Sequence, residues 1–396
     1  MKRLYRIFVT SFALLSLISI ESSGAKAQII GIGDLAGSQF RSRASSVSGD
    51  GTTVMGYSFS SDGQEAIKWT DAGGLLGLGD IPGGRFHSQS MSASQDGSVI
   101  VGMGATEQRE YEATRWNSSG MTRLGSLILD GYSAAHGVSD NGSIIVGQAM
   151  GNYGFEAMYW NATDGMVGIG DLRGPGTDTF SAALAVSSDG STIVGHGLSD
   201  DGIEAFRWNS GGGMVGLGDL TGGAFESRAT TISGDGNVIA GYGQSANGRE
   251  AFRWTDGAGM VGLGDLTGGG FSSSVYGMSL DGDLLVGSSI SSLGSEAFLW
   301  TATDGMESLY NKLQSEGHDL SHWTNLISAT GVSDDGLTIV GYGTNTSGDE
   351  EGFVARFSAV PEPNSVAFLA IALSGSLLFR RRRKSEPNRN DGRNIE

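Results

Sequence analysis

The chain has 396 residues, of which 67 are glycine, 5 are proline and none is cysteine. Because the glycine has no Gly-X-Y period, collagen is excluded and turn-rich β structure is favoured. The absence of cysteine excludes disulfide frameworks, zinc–thiolate sites and thiol catalysis. A formal charge of −18 argues against binding to nucleic acid and is typical of a protein that stays soluble outside the cell.

Residues 1–27 are predicted to be a secretory signal peptide. A positively charged start precedes an apolar run at residues 8–20, and an A-x-A sequence ends at Ala27. The apolar run is too short to span a bilayer comfortably. We therefore expect cleavage after Ala27 and export of the rest of the chain.

Residues 28–358 are predicted to form one domain of repeats. The copy at residues 232–266 contains three short apolar runs, each ended by a glycine-containing turn, and a fourth run precedes it. This pattern predicts four strands per unit. The second glycine of the last run recurs at intervals of 45 to 48 residues, at Gly33, Gly79, Gly125, Gly170, Gly218 and Gly264.

A second signal, Asx-Gly, separates the first two apolar runs of each unit. Asx-Gly between apolar runs predicts a hairpin, and a type I′ turn is expected because such turns need positive φ at both central positions. Asn replaces Asp in one copy, which favours turn geometry over a set of calcium ligands. The copies are Asp50, Asp96, Asn141, Asp189, Asp235, Asp281 and Asp335.

The third run of each unit carries Glu-Ala-x-x-Trp, with a weaker last copy at Glu351. Glu, the middle residue and Trp share one face of a strand, because side chains alternate with period two. We expect the tryptophans to be packing wedges, and each Glu to accept a hydrogen bond from a Ser or the backbone of a neighbouring hairpin. The tryptophans are Trp69, Trp116, Trp160, Trp208, Trp254 and Trp300.

The order of the runs predicts how the domain closes. A lone fourth run comes first, six complete units follow, and the last unit has only its first three runs. This split favours an all-β, seven-bladed β-propeller with four-stranded blades, in which the N-terminal strand completes the last blade. A stacked β array is the alternative.

Two segments depart from the repeat. Residues 103–111 form a longer second turn that either lines a binding surface or is a solvated loop. Residues 311–325 form a polar, helix-capable insertion, in which His318 and His322 would face the same way on a helix and offer two metal ligands. No third ligand is evident, so an exposed loop or cap is favoured and no metal site is predicted. The candidate binding residues are Glu107, Arg109, His318, His322 and Trp323.

Residues 359–384 have three parts, followed by a hydrophilic tail at residues 385–396. The apolar run at residues 365–379 predicts a transmembrane helix of about 22 Å, which is short for a hydrocarbon core of about 30 Å. Flanking arginines can snorkel, so a marginal span is expected, with the basic cluster in the cytoplasm and the repeats outside. The polar parts are Val360, Pro361, Glu362 and Pro363 before the run, and Arg380, Arg381, Arg382, Arg383 and Lys384 after it.

This three-part order resembles the PEP-CTERM sorting signal of exported bacterial proteins. The resemblance implies that an exosortase removes the tail during delivery to the surface. The repeats are similar to the extracellular HAF repeat family, although Glu stands where that family has His, and Phe follows Ala only at Phe206, Phe252 and Phe298. The HAF resemblance implies an extracellular repeat domain and no defined activity.

These features predict a non-enzymatic protein of the cell surface or matrix that binds exopolysaccharide or another surface protein. One alternative is a glycan lyase or hydrolase in the central channel, but the carboxylates recur in equivalent settings, whereas catalysis needs two with different pKa values. No cofactor is expected, and structural calcium in an adhesion module is the remaining alternative. Its ligands would be Asp34, Asp80, Asp171, Asp219 and Asp265, with Ser126 and Asn311 interrupting the series.

Overall fold

The computed structural model describes residues 28–358, except for residues 38, 109 and 175–177. The predicted signal peptide, the sorting segment with its apolar helix and the hydrophilic tail lie outside the described residues. Across the ranges that are described, no helix is long and apolar enough to cross a membrane. The described chain is almost entirely β structure, with one short helix.

The first strand stands alone in the sequence and the next twelve form three units of four, which we number in chain order. The strand that precedes the units is β1 (Gln28–Gly31). Unit 1 contains β2 (Ser42–Val47), β3 (Val54–Phe59), β4 (Gln64–Thr70) and β5 (Gly74–Gly77). Unit 2 contains β6 (Ser88–Ala93), β7 (Ile100–Ala105), β8 (Tyr111–Asn117) and β9 (Gly120–Arg123). Unit 3 contains β10 (Ser133–Val138), β11 (Ile145–Gly151), β12 (Gly154–Asn161) and β13 (Gly165–Gly170).

The same plan continues after a two-residue strand, β14 (Thr179–Phe180). Unit 4 contains β15 (Ala182–Val186), β16 (Ile193–Leu198), β17 (Ile203–Asn209) and β18 (Gly213–Gly216). Unit 5 contains β19 (Gly222–Ile232), β20 (Val238–Ser245), β21 (Gly248–Thr255) and β22 (Gly259–Gly262). Unit 6 contains β23 (Gly268–Met278), β24 (Leu285–Ser291), β25 (Gly294–Thr301) and β26 (Gly305–Ser308). Helix α1 (Leu309–Ser315) leads to unit 7, which contains β27 (Trp323–Val332), β28 (Thr338–Asn345) and β29 (Glu350–Arg356).

Strand pairing follows the predicted units. Consecutive strands within each unit pair antiparallel, and single parallel pairs such as Ile203 with Glu226 join units 4, 5 and 6 into one larger sheet. The last sheet has the order β1-β29-β28-β27, with Gln28 opposite Arg356 and Gly31 opposite Phe353. The expected pairing of the N-terminal strand with the last unit is therefore present.

The turns between first and second strands are hairpins, but the type I′ prediction is wrong. In unit 1 the Ser48 hydroxyl donates to Oδ1 of Asp50 at 2.6 Å. The same Asp50 oxygen accepts the N–H of Thr52 at 3.0 Å. Only the glycine of each Asx-Gly pair has positive φ, 73° at Gly51, because these side-chain bonds hold the preceding Asx at negative φ. The Ser-to-Asx bond recurs at Asp96, Asn141, Asp189, Asp235, Asp281 and Asp335.

The repeated Glu joins each of units 1 to 5 to the next unit, as a hydrogen-bonded staple of four residues. In unit 6, Glu296 instead accepts the Ser308 hydroxyl at 3.0 Å. The Glu204 carboxylate accepts the N–H of Gly218 at 2.9 Å, and the Gly218 carbonyl accepts the Ser227 hydroxyl at 2.6 Å. The Ser227 oxygen in turn accepts the N–H of Ala205 at 2.9 Å. This confirms the backbone partner expected for the Glu. Equivalent staples begin at Glu65, Glu112, Glu156 and Glu250.

The same staple joins the two ends of the domain. The Glu351 carboxylate in unit 7 accepts the N–H of Gly33 at 3.2 Å, and the Gly33 carbonyl accepts the Ser42 hydroxyl at 2.6 Å. The Ser42 oxygen accepts the N–H of Gly352 at 3.1 Å. The last unit is therefore attached to the first by the contacts that attach neighbouring units elsewhere.

A circuit of backbone hydrogen bonds links the seven Asx-Gly turns. In six turns the N–H of the residue just before the Asx donates to a backbone carbonyl of the next turn, and in the first turn the donor is the N–H of Asp50 itself. The donor–acceptor distances are 2.8 to 3.1 Å. The last donor is Asp334, whose N–H bonds to the carbonyl of Gly49 in the first turn. The other donors are Asp50, Gln95, Asp140, Ser188, Gly234 and Leu280.

Asp334 on this circuit makes stability depend on pH. Burial, together with the carboxylates of Asp140, Asp335 and Asp50, raises the pKa of Asp334 to about 6. The folded state therefore binds a proton more readily than the unfolded state, so stability falls as pH rises from about 4 to 6. We expect Asp334→Asn to raise the melting temperature at pH 7 and to flatten its dependence on pH between 4 and 6. The same change at Asp62, in an exposed turn, should do neither.

The core lies between units, and phenylalanine is its deepest aromatic residue. Phe206, Phe252, Phe298 and Phe353, at the middle of the Glu-Ala-x-x-Trp motif, are fully buried. Trp69, Trp116 and Trp254 are buried, which agrees with the packing role predicted for the tryptophans. Trp160, Trp208 and Trp300 are only half-buried. The middle residue of the Glu-Ala-x-x-Trp motif is therefore buried between units more consistently than the tryptophan.

Candidate functional site

A groove lies where unit 2 meets unit 3. The long second turn contributes residues 106, 108 and 110, and the connection at residues 126–131 forms the facing wall. Glu112, Arg123 and Gly125 complete the lining of a cavity of about 430 Å³. We call this cavity the inter-unit groove. Both of its walls depart from the repeat, because the second turn is longer than in other units and because Ser126 replaces the Asp found in five other copies of the fourth run.

The connection at residues 126–131 has unusual geometry. Leu129 at its tip is 92% exposed. Asp130 has φ of 54° and is the only non-glycine residue with positive φ in the described part of the chain. The equivalent connection before unit 6, at residues 265–270, has glycine at both corresponding positions. Backbone strain of this kind is concentrated at functional sites, so the connection is a candidate recognition element.

One arginine lies among several carboxylates in the groove. The Arg123 guanidinium donates to the Glu112 carboxylate, with Nε at 2.9 Å, and the other Glu112 oxygen accepts the N–H of Gly125 at 3.0 Å. The hydrogen bond to Glu112 raises the pKa of Arg123, and the charges of Asp130 and Glu107 raise it further. The groove therefore offers fixed polar groups of both charges.

A row of aromatic rings runs beside the groove and crosses from unit 2 to unit 3. The ring centres are 5.3 Å apart for His87 and Tyr111, 6.2 Å for Tyr111 and Tyr132, and 5.3 Å for Tyr132 and Phe155. Each contact is edge to face, the arrangement that aromatic pairs favour. Arg85 donates to the Tyr111 hydroxyl at 2.7 Å. Because Tyr111 follows Glu110 and Tyr132 follows Gly131, both walls of the groove lead into this row.

Of the predicted residues of the long turn, Glu107 is not among those that line this groove. Glu107 is exposed and its charge acts on Arg123. Arg109 lies outside the described residues. The sequence interpretation treated Ser126 only as an interruption of a repeated Asp, although that substitution marks the second wall.

The other predicted segment is not an exposed loop. Helix α1 ends at Ser315, so His318 and His322 do not share a helical face. Leu313 and Leu320 are buried in the same cluster as Trp323, which is only 3% exposed. The segment therefore packs over unit 7, and the side chain of Trp323 is not available for surface recognition.

The two histidines of this segment have different environments. His322 Nε2 lies 2.7 Å from the Glu351 carboxylate, so this ring supports the staple that joins β29 to β1. His318 is 8% exposed, neither ring nitrogen has a hydrogen-bond partner, and burial lowers its pKa. Among the residues that the structure describes, no three His, Cys, Asp or Glu side chains converge as a metal site.

The repeated Asp of the fourth run caps backbone amides. The Asp171 carboxylate accepts N–H groups from Leu172 and Phe180, each at 2.8 Å, and from Leu198 at 2.5 Å. Asp80 similarly accepts the N–H of Ile81 at 2.8 Å. These bonds give the carboxylates a structural role that does not need calcium.

A second cavity, of about 200 Å³, is lined by the first strands of all seven units. We call it the channel. Six different residue types occupy one equivalent position in the seven units, so a search for repeated residues overlooks the set. These residues are Ser45, Met91, His136, Leu184, Thr230, Tyr276 and Thr330.

No family model matches the chain, and no curated protein matches it. Among solved structures, the chain is similar to an oligogalacturonate lyase from Vibrio parahaemolyticus, with a TM-score of 0.52 and 9% identity over 85% of this chain and 95% of that one. It is also similar to TolB from Acinetobacter baumannii, with a TM-score of 0.46 and 14% identity over 64% of this chain and 62% of that one. A TolB-like protein from Agrobacterium tumefaciens gives a TM-score of 0.41 and 13% identity over 80% and 91%. The chain is therefore an all-β protein with β-propeller-like structural neighbours.

Proposed function

We propose that this protein is an exported, non-enzymatic surface protein whose closed seven-bladed propeller binds an extracellular polysaccharide in the inter-unit groove. One observation carries the proposal. The long turn at residues 106–110 and the connection at residues 126–131 are separate departures from the repeat, and they form the two walls of one groove. Loops that vary on a rigid repeated scaffold are where such scaffolds carry recognition.

Closure of the propeller is supported by three contacts between its ends. β1 pairs with β29, the Glu351 staple reaches Ser42, and the N–H of Asp334 donates to Gly49. Together with the division into units, these contacts fit seven blades around the channel. A ring of blades leaves only short, protected sheet edges and provides a rigid support for the groove.

The chemistry of the groove suits a carbohydrate. Sugar hydroxyls need hydrogen-bonding groups, and Thr106, Gln108 and Glu110 offer them along one wall. The aromatic row supplies apolar contact beside these groups. The mixed charge of Arg123 and Asp130 adds orientation without requiring a highly charged ligand.

The fold also separates the groove from the ends of the domain. Gln28 pairs with Arg356, whose side chain reaches Asp71 in the third turn of unit 1 at 2.9 Å. The groove lies at the opposite ends of the strands, beside the second turns.

Export and sorting are part of the proposal. The predicted signal peptide at residues 1–27 supports secretion, and Val360 to Pro363 with the basic cluster supports processing by an exosortase. Together they support an envelope or extracellular location.

A glycan lyase or hydrolase is the alternative. The Vibrio structure is of an oligogalacturonate lyase, but a likeness at 9% identity shows the fold alone. Glu112 is engaged by Arg123 and Gly125, which leaves it a structural role. Incubation with candidate polysaccharides, followed by assay of reducing ends and unsaturated products, separates binding from cleavage.

The decisive variant exchanges one connection for another that the chain already uses. Residues 126–131, SLILDG, are replaced with the six residues 265–270, DLTGGG. The length and the following aromatic residue are preserved, so the fold should be kept, while one wall of the groove is lost. We expect binding to the cell's own exopolysaccharide, measured by isothermal titration calorimetry, to weaken at least tenfold.

A matched control makes the same replacement at residues 219–224, which differ from DLTGGG only at Ala224. This control should bind normally. Normal binding by the SLILDG exchange variant would overturn the assignment of the groove, and product formation by the wild-type protein would overturn the non-enzymatic assignment.

A further inference from the structure

A third cavity opens where the Asx-Gly turn and the third turn of unit 3 meet unit 2, at the other end of the strands from the inter-unit groove. Its volume is about 530 Å³, and we call it the Arg115 cleft. Arg115 on β8 and the half-buried Trp160 on β12 both line it. The rest of the lining comes from residues 141–144 and 161–164.

The junction of units 4 and 5 shows how the repeat holds an arginine at this place. Arg207 occupies the position equivalent to Arg115. Its guanidinium carbon lies 5.2 Å from the ring centre of Trp254, and its Nη1 bonds to the Asp256 carboxylate at 2.9 Å. The carboxylate therefore comes from the third turn of the next unit, two residues after the tryptophan.

The junction of units 7 and 1 has the same arrangement. Arg356 lies 5.9 Å from the ring centre of Trp69 and bonds to Asp71 at 2.9 Å. Asp71 is again two residues after the tryptophan. A guanidinium beside tryptophan, held by a carboxylate of the third turn, is therefore an arrangement that the domain uses more than once.

At the Arg115 cleft this carboxylate is missing. Ala162 stands two residues after Trp160, where unit 5 has Asp256. The Arg115 Nε is buried without a hydrogen-bond partner, and no described residue pairs with the charge of the guanidinium. Because buried donors are costly to leave unpaired, the cleft is complementary to an acceptor supplied from outside the chain.

A second departure from the repeat adds a hydrogen-bond donor to the cleft. Asn141 replaces the Asp that the other six Asx-Gly turns have. Its Oδ1 accepts the N–H of Ser143 at 2.9 Å, so the amide NH₂ is the free end. Both substitutions take a carboxylate away from the surroundings of Arg115. The carboxylate that remains, Asp164, accepts the Asn161 amide at 2.9 Å.

We propose that the Arg115 cleft binds a uronic acid unit of an anionic polysaccharide. The sugar carboxylate would take the place that the Asp256 carboxylate has beside Arg207, where charge-assisted bonds to a guanidinium are strong. Trp160 offers apolar surface to the sugar ring, and Asp164 accepts sugar hydroxyls. Phosphate or sulfate has neither an apolar face nor such hydroxyls. The site is separate from the inter-unit groove and does not depend on it.

Two matched oligosaccharides are the probes. The tetramer of β-1,4-linked glucuronic acid has carboxylates where cellotetraose has hydroxymethyl groups. We expect calorimetry with the mature wild-type chain to show that the acidic tetramer binds at least tenfold more tightly than cellotetraose. Sodium chloride at about 0.15 M screens long-range repulsion between the acidic chain and the acidic tetramer.

Ala162→Asp fills the site with the carboxylate that the repeat uses elsewhere. Ala162 is exposed in a turn, so the fold should be kept, and the new carboxylate should pair with Arg115. We expect the acidic tetramer to bind at least tenfold more weakly. Arg115→Gln should have the same effect. Ala258→Asp adds the same charge to the exposed third turn of unit 5 and should bind as wild type does.

The exchange of SLILDG for DLTGGG in the inter-unit groove separates this site from the proposed function. That variant should bind the acidic tetramer as wild type does, whether or not the groove binds exopolysaccharide. Loss of the binding in that variant would assign it to the groove and overturn the proposal. Absence of binding by the wild-type chain, or equal binding by Ala162→Asp and Ala258→Asp, would also overturn it.

Discussion

Removal of residues 28–35 from the mature chain should lower the melting temperature by about 10 °C or more. Ile29 and Ile32 are 8% and 4% exposed and pack against unit 7 and unit 1, respectively. Burial of each isoleucine contributes about 1.5 to 3 kcal/mol, and the lost β1–β29 hydrogen bonds contribute about 1 kcal/mol each. A loss above about 5 kcal/mol corresponds to a shift on the order of 10 °C in a domain of this size. Circular dichroism during heating measures it.

Two controls separate the loss of the strand from the loss of chain length. Removal of Gln28 alone, which is exposed, should leave the melting temperature unchanged. A synthetic peptide of residues 28–36 should restore part of the stability of the shortened chain, because an exposed sheet edge accepts an added strand. A scrambled peptide should not. Equal melting temperatures for the shortened and complete chains would contradict closure by β1.

Much of the fold could be predicted because its determinants are local and repeated. The Asx-Gly turns separate the first strand of each unit from the second, and the alternating Glu-Ala-x-x-Trp pattern identifies the third strand. The lone first run predicts that β1 pairs with β29. The turn type could not be predicted from Asp-Gly alone. The Ser48 hydroxyl and the N–H of Thr52 both bond to the Asp50 carboxylate, and these contacts keep Asp50 at negative φ.

The candidate site was only partly predictable, because neighbours in space are distant in the repeat. The long turn at residues 103–111 was identified, but its partner at residues 126–131 differs from most other connections by only one residue in length, since Gly125 and Ser133 are eight rather than nine residues apart. The segment at residues 311–325 reads as polar, yet Leu313, Leu320 and Trp323 are spaced so that all three are buried over unit 7. The 3.2 Å contact between the Met91 sulfur and His136 Nδ1 depends on strands of two units converging at the channel, which no local pattern reveals.

Phe206→Ala should destabilise the protein by about 3 to 5 kcal/mol, more than Trp208→Ala two residues later. Phe206 is fully buried and packs between units against Val146, Ala157 and Ile193, so its truncation leaves a cavity that a rigid sheet stack cannot fill. Trp208 is half-buried near the third turn, where water replaces part of its lost contacts. Urea unfolding followed by far-UV circular dichroism measures both losses. Phe206→Leu, which keeps most of the volume, should cost less than about 1.5 kcal/mol. A larger loss of unfolding free energy for Trp208→Ala than for Phe206→Ala would show that the tryptophan, and not the middle residue of the motif, is the main packing residue between units.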